Sequence, residues 1–468
     1  MSEMSEMNAE TQEGAPAAVV EGVHNYSREE DWVKPDDPVL LERLEWFRDQ
    51  KLGLMMHWGP YSQLGVVESW ALSDADADWS RDGIDWDVSA EELKREYFGL
   101  NRTFNPLRFQ PELWAGLAAD SGFKYLNFTT KHHDGFCMWD TRTTDYRATH
   151  PDCPFHVHRH ADICGRLFDA FRAKGLAISA YFSKADWRSP YYWAPGMERG
   201  GRTSRGTSYD TKEHPWLWEQ FVKFTHEQIG ELMTRYGRID MLWLDAGWVN
   251  AANNQDIRLG EAVEKARELQ PWLLCADRTV GGPYENLITP EQTLPERPLL
   301  VPWESCITMG TSFSFRYEDT YKTVRQLVHL LVEIVAKGGN LALNVGPQPD
   351  GRLPETAVAR MKGLGAWLKV NGEAIYGTRI CEPYGSGSWR FTRKGEAVYA
   401  FCLVEREQSP MEAEMCIPLR DSFARVELLD GYIPLDYRLT EKGITVRLPE
   451  SVREKEAPEA IVFRLSGK

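Results

Sequence analysis

The sequence lacks the short motifs of several common enzyme classes. No Gly-x-Gly-x-x-Gly follows its first apolar run and no Gly-x-x-x-x-Gly-Lys occurs, so a dinucleotide-binding or phosphate-loop fold has no support. A Gly-x-Ser-x-Gly elbow is also missing, which removes the main signal for serine acyl transfer. The eight cysteines never stand in Cys-x-x-Cys spacing, so they indicate neither a zinc site nor a disulfide scaffold.

The sequence also shows no excess of positive charge. It contains neither an apolar run long enough to span a membrane nor a signal-peptide pattern. The formal net charge of −16 argues against nucleic acid or an anionic membrane as a partner and favours a neutral substrate. No apolar run approaches the roughly 20 residues that cross a bilayer. Residues 1–25 show no charged-then-apolar leader pattern, so we expect a disordered N-terminal segment and a cytoplasmic location. A processed secreted or periplasmic form would look the same.

Aromatic residues, by contrast, are abundant. The 18 tryptophans and 12% aromatic content suit a site for ligands with apolar faces, sugars among them. The 468 residues are enough for one large domain and a smaller one. Over 26–378, about seven apolar runs alternate with helical patterns, which predicts an α/β fold with a (β/α)8-like catalytic barrel. Over 379–468, short strands between charged turns predict a C-terminal antiparallel β-sandwich.

One apolar run ends on a carboxylate and is the first candidate for site chemistry. Residues 241–244, Met-Leu-Trp-Leu, are apolar on both faces, as a buried parallel strand must be, and Asp245 follows them. In a parallel barrel the carboxyl ends of the strands open onto the face where chemistry is done. Asp245 is therefore a catalytic candidate, and the alternative is a residue that caps a turn.

A second run, 299–303, is interpreted as another strand that ends on a carboxylate, Glu304. Two carboxylates that flank a bond are what acetal hydrolysis needs. His57 and the adjacent His132 and His133 could bind a metal, but neighbouring strand residues point in opposite directions and no Glu-x-x-His helix accompanies them. We therefore favour hydroxyl recognition by the histidines and expect no metal and no cofactor.

Seven stretches stand out as motifs along the chain. They are His57-Trp58-Gly59-Pro60-Tyr61, Phe104-Asn105-Pro106, the block from Lys124-Tyr125 through Lys131-His132-His133-Asp134-Gly135-Phe136, Trp243-Leu244-Asp245, Trp303-Glu304-Ser305-Cys306, Gly338-Gly339-Asn340-Leu341 with Asn344-Val345-Gly346-Pro347, and Trp367-Leu368 through Asn371-Gly372-Glu373-Ala374-Ile375-Tyr376-Gly377. In this order they resemble the retaining alpha-L-fucosidases of glycoside hydrolase family 29, over nearly the whole chain from about residue 38.

The resemblance implies a double displacement on a terminal alpha-L-fucosyl residue of an oligosaccharide or glycoconjugate. Asp245 would be the nucleophile, and Glu304 would be the acid/base with a raised pKa. The two carboxyl groups would lie about 5 to 5.5 Å apart. The residues implied for sugar binding are His57, Glu68, Trp70, His132, His133, Tyr181 and Arg278, with Trp243 or Phe315 as an aromatic wall for the C6 methyl group.

Several alternatives stay open. The loop with Glu285, Glu291 and Glu296 could supply the acid/base in place of Glu304. Arg278 could be a structural ion-pair partner. The activity could belong to a related glycosidase such as an alpha-L-galactosidase, and a third hypothesis is a fucose-binding protein without turnover. Linkage preference and a homo-oligomeric state are open as well.

Overall fold

The structure is a computed structural model, and it describes residues 26–73, 75–81, 89–197, 203–405, 411–454 and 458–467. The segment 1–25 lies outside the described residues, so its disorder stays a prediction. Within the described ranges, no helix combines the length and the apolar character that a bilayer crossing requires.

Seven parallel strands form the central sheet. In space they run β5-β4-β3-β2-β1-β7-β6. Their bounds are β1 Leu52–Met56, β2 Tyr125–Lys131, β3 Ala177–Ser183, β4 Met241–Asp245, β5 Leu274–Asp277, β6 Glu304–Thr308 and β7 Asn340–Asn344. Nearly every strand residue is buried, as expected for strands enclosed between helices and a barrel interior. The curled parallel sheet confirms the predicted barrel-like α/β fold.

Eight helices of the described chain accompany this sheet. Their bounds are α1 Pro38–Gln50, α2 Ala90–Phe98, α3 Pro111–Asp120, α4 Ile163–Ala173, α5 Pro215–Arg235, α6 Leu259–Leu269, α7 Val324–Ala336 and α8 Glu355–Asn371. The sequence interpretation missed α2. Its start carries a recognisable signal, since the Ser89 side chain accepts a hydrogen bond from the backbone N–H of Glu92 at 3.2 Å.

The position of Glu304 on its strand contradicts the sequence interpretation. The run 299–303 is not a strand, and β6 begins at Glu304 instead of ending there. Glu304 pairs with Asn340, the first residue of β7, at the amino end of the sheet. Pro302 has no N–H to donate, which explains why the ladder starts only after it. The carboxylate therefore lies about 13 Å along β6 from the face onto which the strands open.

An irregular segment connects the two outer strands of the parallel sheet. We call residues 284–292 the closing segment. The backbone N–H of Asn286 donates to Cys275 on β5 at 2.8 Å, and the N–H of Cys306 on β6 donates to Pro290 at 3.0 Å. Isolated bridges join Ala276 to Glu285 and Cys306 to Glu291. The barrel thus closes through a stretch without strand periodicity where an eighth strand would stand.

The C-terminal region is antiparallel, as predicted. Six strands pair in the order β13-β12-β16-β10-β9-β8 and three in the order β11-β15-β14. Alternation along β10 gives the larger sheet two apolar faces: Tyr399 and Phe401 join the core of the barrel, and Val398 and Ala400 join the core between the two sheets. The strands are β8 Arg379–Ser386, β9 Trp389–Lys394, β10 Ala397–Leu403, β11 Glu414–Ile417, β12 Arg425–Leu428, β13 Ile433–Pro434, β14 Tyr437–Thr440, β15 Gly443–Arg447 and β16 Ala460–Ser466.

Candidate active site

A cavity of about 610 Å³ opens where the strands of the barrel end. Most of the proposed site residues meet there. Those that line the cavity are His57, Glu68, Trp70, His132, Tyr181, Trp243, Asp245 and Arg278. His133 is buried beside them, with its Nε2 3.9 Å from an Asp245 oxygen. The cavity is therefore built from the ends of several different strands, the usual arrangement of a barrel active site.

Asp245 is the last residue of β4 and is held by donors on both oxygens. Tyr181 donates its hydroxyl to Oδ2, and Arg278 donates from Nη1 to Oδ1 at 3.1 Å. Burial raises the pKa of this carboxyl, but the Arg278 charge, with His133 and the Tyr181 hydrogen bond, holds the net pKa below its ordinary value. Asp245 is ionised at neutral pH, which is the state a nucleophile requires.

Arg278 links Asp245 to a second carboxylate of the cavity. Its other terminal nitrogen, Nη2, donates to Glu291 of the closing segment. Both Glu291 and Arg278 line the cavity and are almost fully buried. Burial lowers the pKa of Arg278, yet the charges of Glu291 and Asp245 outweigh burial and leave its pKa raised. One permanent cation thus fixes two carboxylates in a shared network.

The three histidines each bind a neutral partner through Nδ1. His57 bonds the Asn344 side chain at 2.8 Å, His132 bonds Ser69 at 2.5 Å, and His133 bonds Ser183 at 2.7 Å. Burial lowers the pKa of His57 and of His133 to about 4, and it lowers the pKa of His132 well below its ordinary value. The rings are therefore neutral near pH 7, with each Nε2 left for a ligand.

His132, His133 and Asp245 also form a group that could hold a metal ion, since one ligand atom of each lies within 4.8 Å of the others. The Arg278 guanidinium already pairs with the Asp245 carboxylate, and its positive charge disfavours a cation at this place. The chemistry of the group fits hydroxyl binding better than metal binding. The expectation that no metal takes part stays a prediction.

Glu68 is the third buried carboxyl at the cavity. The backbone N–H of Ser314 donates to its Oε1 at 2.7 Å. Burial raises the pKa of Glu68 to about 8, and the nearby charges of Glu291 and Asp245 act in the same direction. Glu68 is therefore protonated at neutral pH and can donate a hydrogen bond.

Backbone strain concentrates at this site. Glu68 itself has φ 38°, in the left-handed region that side chains other than glycine rarely adopt. Three more such residues, with φ of 67°, 63° and 49°, are Ala246, Thr279 and Gln292, which directly follow Asp245, Arg278 and Glu291. Strained residues of this kind persist where the surrounding packing fixes the chain, and they are common at active sites.

The structure corrects two of the proposed site residues. Glu304 is completely buried at the far end of the barrel and does not line the cavity, so it cannot reach a bound sugar as an acid/base. Phe315 lines a separate cavity with Tyr317. Residue Phe313 of the same loop lies at the active cavity instead, 4.8 Å between ring centres from His57. The loop places residues 313 and 315 at different cavities, and no periodicity in this stretch of the sequence decides between them.

The sequence analysis did not identify the residues on the outer wall of the cavity. Arg205 lines the cavity and lies in the long connection between β3 and α5. Its guanidinium lies over the rings of Trp70 and Trp248, at 5.2 and 5.5 Å from their centres. Asp76 and Asn253 line the same wall. No local motif distinguishes these residues in the sequence.

Known proteins resemble this chain along most of its length. A family model described as Alpha-L-fucosidase matches residues 24–373. The chain belongs to the alpha-L-fucosidase family. It is thus a glycoside hydrolase. Human tissue alpha-L-fucosidase is 28% identical over 448 residues, which cover 89% of this chain and 88% of the human protein.

Solved structures of the family share the fold. Alpha-L-fucosidase isoenzyme 1 from Paenibacillus thiaminolyticus superposes with a TM-score of 0.74 at 28% identity, covering 92% of this chain and 100% of that one. Thermotoga maritima alpha-fucosidase in complex with fucose also gives a TM-score of 0.74, at 27% identity and 92% and 99% coverage. Membership in this family removes the hypothesis of a binding protein without turnover.

Proposed function

We propose that this family member hydrolyses terminal alpha-L-fucosyl bonds of oligosaccharides or glycoconjugates with Asp245 as nucleophile and Glu291 as acid/base. The observation that carries the two roles is Arg278, which binds both carboxylates at the cavity wall. The acid/base role is thus assigned to Glu291, one of the three loop glutamates that were alternatives to Glu304.

The reaction takes two displacements. In the first, an Asp245 oxygen bonds to the anomeric carbon, the glycosidic C–O bond breaks, and Glu291 gives its proton to the departing oxygen. In the second, Glu291 takes a proton from water while the water oxygen attacks the anomeric carbon and releases Asp245 as a carboxylate. The product is fucose with retained anomeric configuration.

The charge balance around Arg278 supports a change of role for Glu291, from acid in the first displacement to base in the second. One guanidinium faces two carboxyl groups, so protonation of one of them leaves the network neutral. Once Asp245 is esterified it carries no charge, and Arg278 is left to stabilise Glu291 as a carboxylate. Glu291 is then ready to act as the base for the second displacement.

Neutral imidazole rings and aromatic faces fit fucose. The Nε2 atoms of His57, His132 and His133 can hydrogen-bond sugar hydroxyls without bringing charge into the cavity. Trp243 and Phe313 offer apolar surface for the C6 methyl group, which is worth about 1 to 3 kcal/mol over a C6 hydroxyl. Rates on aryl alpha-L-fucoside and aryl alpha-L-galactoside measure this preference.

Asp245→Gly tests the nucleophile. We expect turnover of an aryl alpha-L-fucoside to fall about 10³-fold or more, because the substitution removes the carboxylate that forms the ester. Azide should restore part of the rate and give a glycosyl azide of inverted configuration. Asp240→Asn is the matched control, since Asp240 precedes the same strand at its other end and pairs with Arg43 at 2.8 Å. Near-normal turnover by Asp245→Gly would exclude the assignment.

Glu291→Gln and Glu68→Gln together test the acid/base. Glu68 is the rival because it is protonated at neutral pH and lines the same cavity. Loss of the acid should slow an alkyl fucoside about 10²-fold or more and slow a nitrophenyl fucoside much less, since nitrophenolate needs no proton to leave. We expect this split for Glu291→Gln and equal losses for Glu68→Gln. The opposite pattern would move the role to Glu68.

We further propose a cytoplasmic location. All eight cysteines are free thiols and six of them are buried, which suits a reducing compartment. Fractionation of cells that express the untagged chain tests this location. A homo-oligomer, and the lack of nucleic-acid or membrane binding, remain predictions that light scattering and sedimentation assays with DNA or anionic vesicles address.

A further inference from the structure

Glu304 forms a specific contact below the cavity even though it cannot reach a sugar. Its side chain has 0% exposure. Tyr125 donates its hydroxyl to Oε2, and the indole Nε1 of Trp243 donates to Oε1 at 3.2 Å. Both oxygens of the buried carboxyl therefore have a donor, one from β2 and one from β4.

Trp243 connects Glu304 to the cavity, because the same tryptophan also lines the cavity. Tyr181 stacks on the indole, with ring centres 5.2 Å apart and an angle of 20° between the planes. The guanidinium of Arg278 lies over the indole at 5.3 Å from the ring centre. These two neighbours, Tyr181 and Arg278, are the side chains that hydrogen-bond Asp245.

We propose that Glu304 is a positioning residue that fixes the Trp243 indole and, through it, the two donors that hold the nucleophile. The proposal rests on the proposed function only in taking Asp245 as the nucleophile. It gives Glu304 a role in the reaction without contact to the substrate.

The physical reason is the need of a buried indole N–H for an acceptor. A buried N–H without a partner is costly, so the acceptor at Glu304 selects one rotation of the indole over the others. Tyr181 and Arg278 both rest against this ring. A displacement of a catalytic group by about 1 Å can reduce a rate about 10²-fold, so a small rotation of the indole is enough to matter.

Glu304→Gln and Glu304→Leu, assayed on a nitrophenyl and an alkyl fucoside, provide the first test. We expect Glu304→Leu, which leaves the indole N–H without its acceptor, to lower kcat about 10- to 100-fold on both substrates with KM little changed. Glu304→Gln, whose amide oxygen can still accept from Trp243, should lose much less. Azide should not restore either variant. Selective loss of the alkyl fucoside, or rescue by azide with retained configuration, would make Glu304 the acid/base and overturn the proposal.

A double-mutant cycle with Trp243→Phe provides the second test. Phe keeps an aromatic ring for Tyr181 and removes the N–H, so adding Glu304→Leu to Trp243→Phe should change kcat less than twofold. Additive losses in the double variant would overturn the route through Trp243. The cycle compares ratios of kcat, so it stays informative if Asp245 proves not to be the nucleophile.

Ser305→Ala is the matched control for a buried polar residue of β6. Ser305 donates to the carbonyl of Thr293 at 2.6 Å, away from Trp243. We expect its kcat to stay within twofold of the parent. Thermal melting and near-ultraviolet circular dichroism of every variant show that it is folded. If Glu304→Leu fails to fold, Trp243→Phe keeps the test valid, because it removes the indole donor and should lower kcat on both substrates; a kcat equal to that of the parent would then overturn the proposal.

Discussion

At the scale of single residues, Glu304 is notable because a negative charge on its carboxyl group would be fully buried. Burial raises the pKa of its carboxyl to about 7, against an ordinary value of 4.5, while the hydrogen bonds from Tyr125 and Trp243 act in the opposite direction. The folded protein therefore keeps this carboxyl protonated up to near neutral pH. The unfolded chain releases the proton near pH 4.5.

This difference predicts a pH-dependent contribution to stability. Below about pH 4 the carboxyl is protonated in both states, so the gap in free energy of unfolding between the parent and Glu304→Gln should be constant. From pH 4.5 to 7 the parent should lose stability relative to the variant, because only its unfolded state gains by ionising. The loss should reach on the order of 3 kcal/mol and then level off. Urea titrations at several pH values measure this loss. A difference in free energy of unfolding that does not change with pH would contradict the effect of burial.

At the scale of elements, the closing segment determines where the second carboxylate lies. Of the three acidic candidates between β5 and β6, two belong to this segment: Glu291 lines the cavity and Glu285 is buried away from it. Glu296 lies beyond the segment and is exposed. Glu285 accepts a hydrogen bond from the backbone N–H of Gly281 at 2.6 Å and from that of Thr279 at 3.3 Å. It therefore fixes the backbone directly after Arg278.

Glu285→Ala should weaken the enzyme without any contact to the sugar. The change leaves the backbone N–H groups of Thr279 and Gly281 without their acceptor, at a cost of about 1 to 3 kcal/mol in stability. Because Arg278 precedes Thr279, we expect kcat to fall as well, on good and poor leaving groups alike. Chemical denaturation and kinetics measure both effects. Glu296→Ala, on the exposed side of the loop, is the control and should change neither quantity; an inert Glu285→Ala would show that the segment holds its shape without this residue.

The same elements show what the sequence could and could not predict. Asp245 was predictable because an apolar run of constant character ends abruptly at a charge, a pattern that buried parallel strands produce. Glu304 was misplaced because the apolar run before it looks like a strand, while Pro302 prevents the ladder from starting there. Glu291 could only be proposed as one of three, since the closing segment has no periodicity that indicates a facing direction.

For the whole molecule, the larger antiparallel sheet ties the C-terminal region to the barrel. Phe401 is fully buried and belongs to the same hydrophobic core as buried residues of α7 and α8. Two polar contacts reinforce it: Arg390 pairs with Glu333, and Arg325 donates to the carbonyl of Val404 at 2.8 Å. The antiparallel region was predictable from its short alternating strands, whereas its packing against α7 depends on contacts distant in sequence.

Phe401→Ala should therefore destabilise barrel and sheets together. The cavity left by the ring should lower the free energy of unfolding by about 3 to 5 kcal/mol. Calorimetry should show one transition at a lower temperature, and activity should be lost over the same range, while kcat at 25 °C per folded molecule stays unchanged. Leu439→Ala, at a position 52% exposed on β14, is the control. Two transitions, with activity outlasting the first, would mean that the regions unfold independently.

The irregular closure between β5 and β6 has a consequence for how such an enzyme can change. Inserting or deleting one residue in β4 would turn Trp243 and Asp245 to the opposite side and abolish the site, because strand side chains alternate. The stretch that bears Glu291 has no alternation to violate, so its proton donor can move along the loop while the nucleophile stays where it is. Protein engineers could exploit this freedom to match the donor to differently shaped leaving groups.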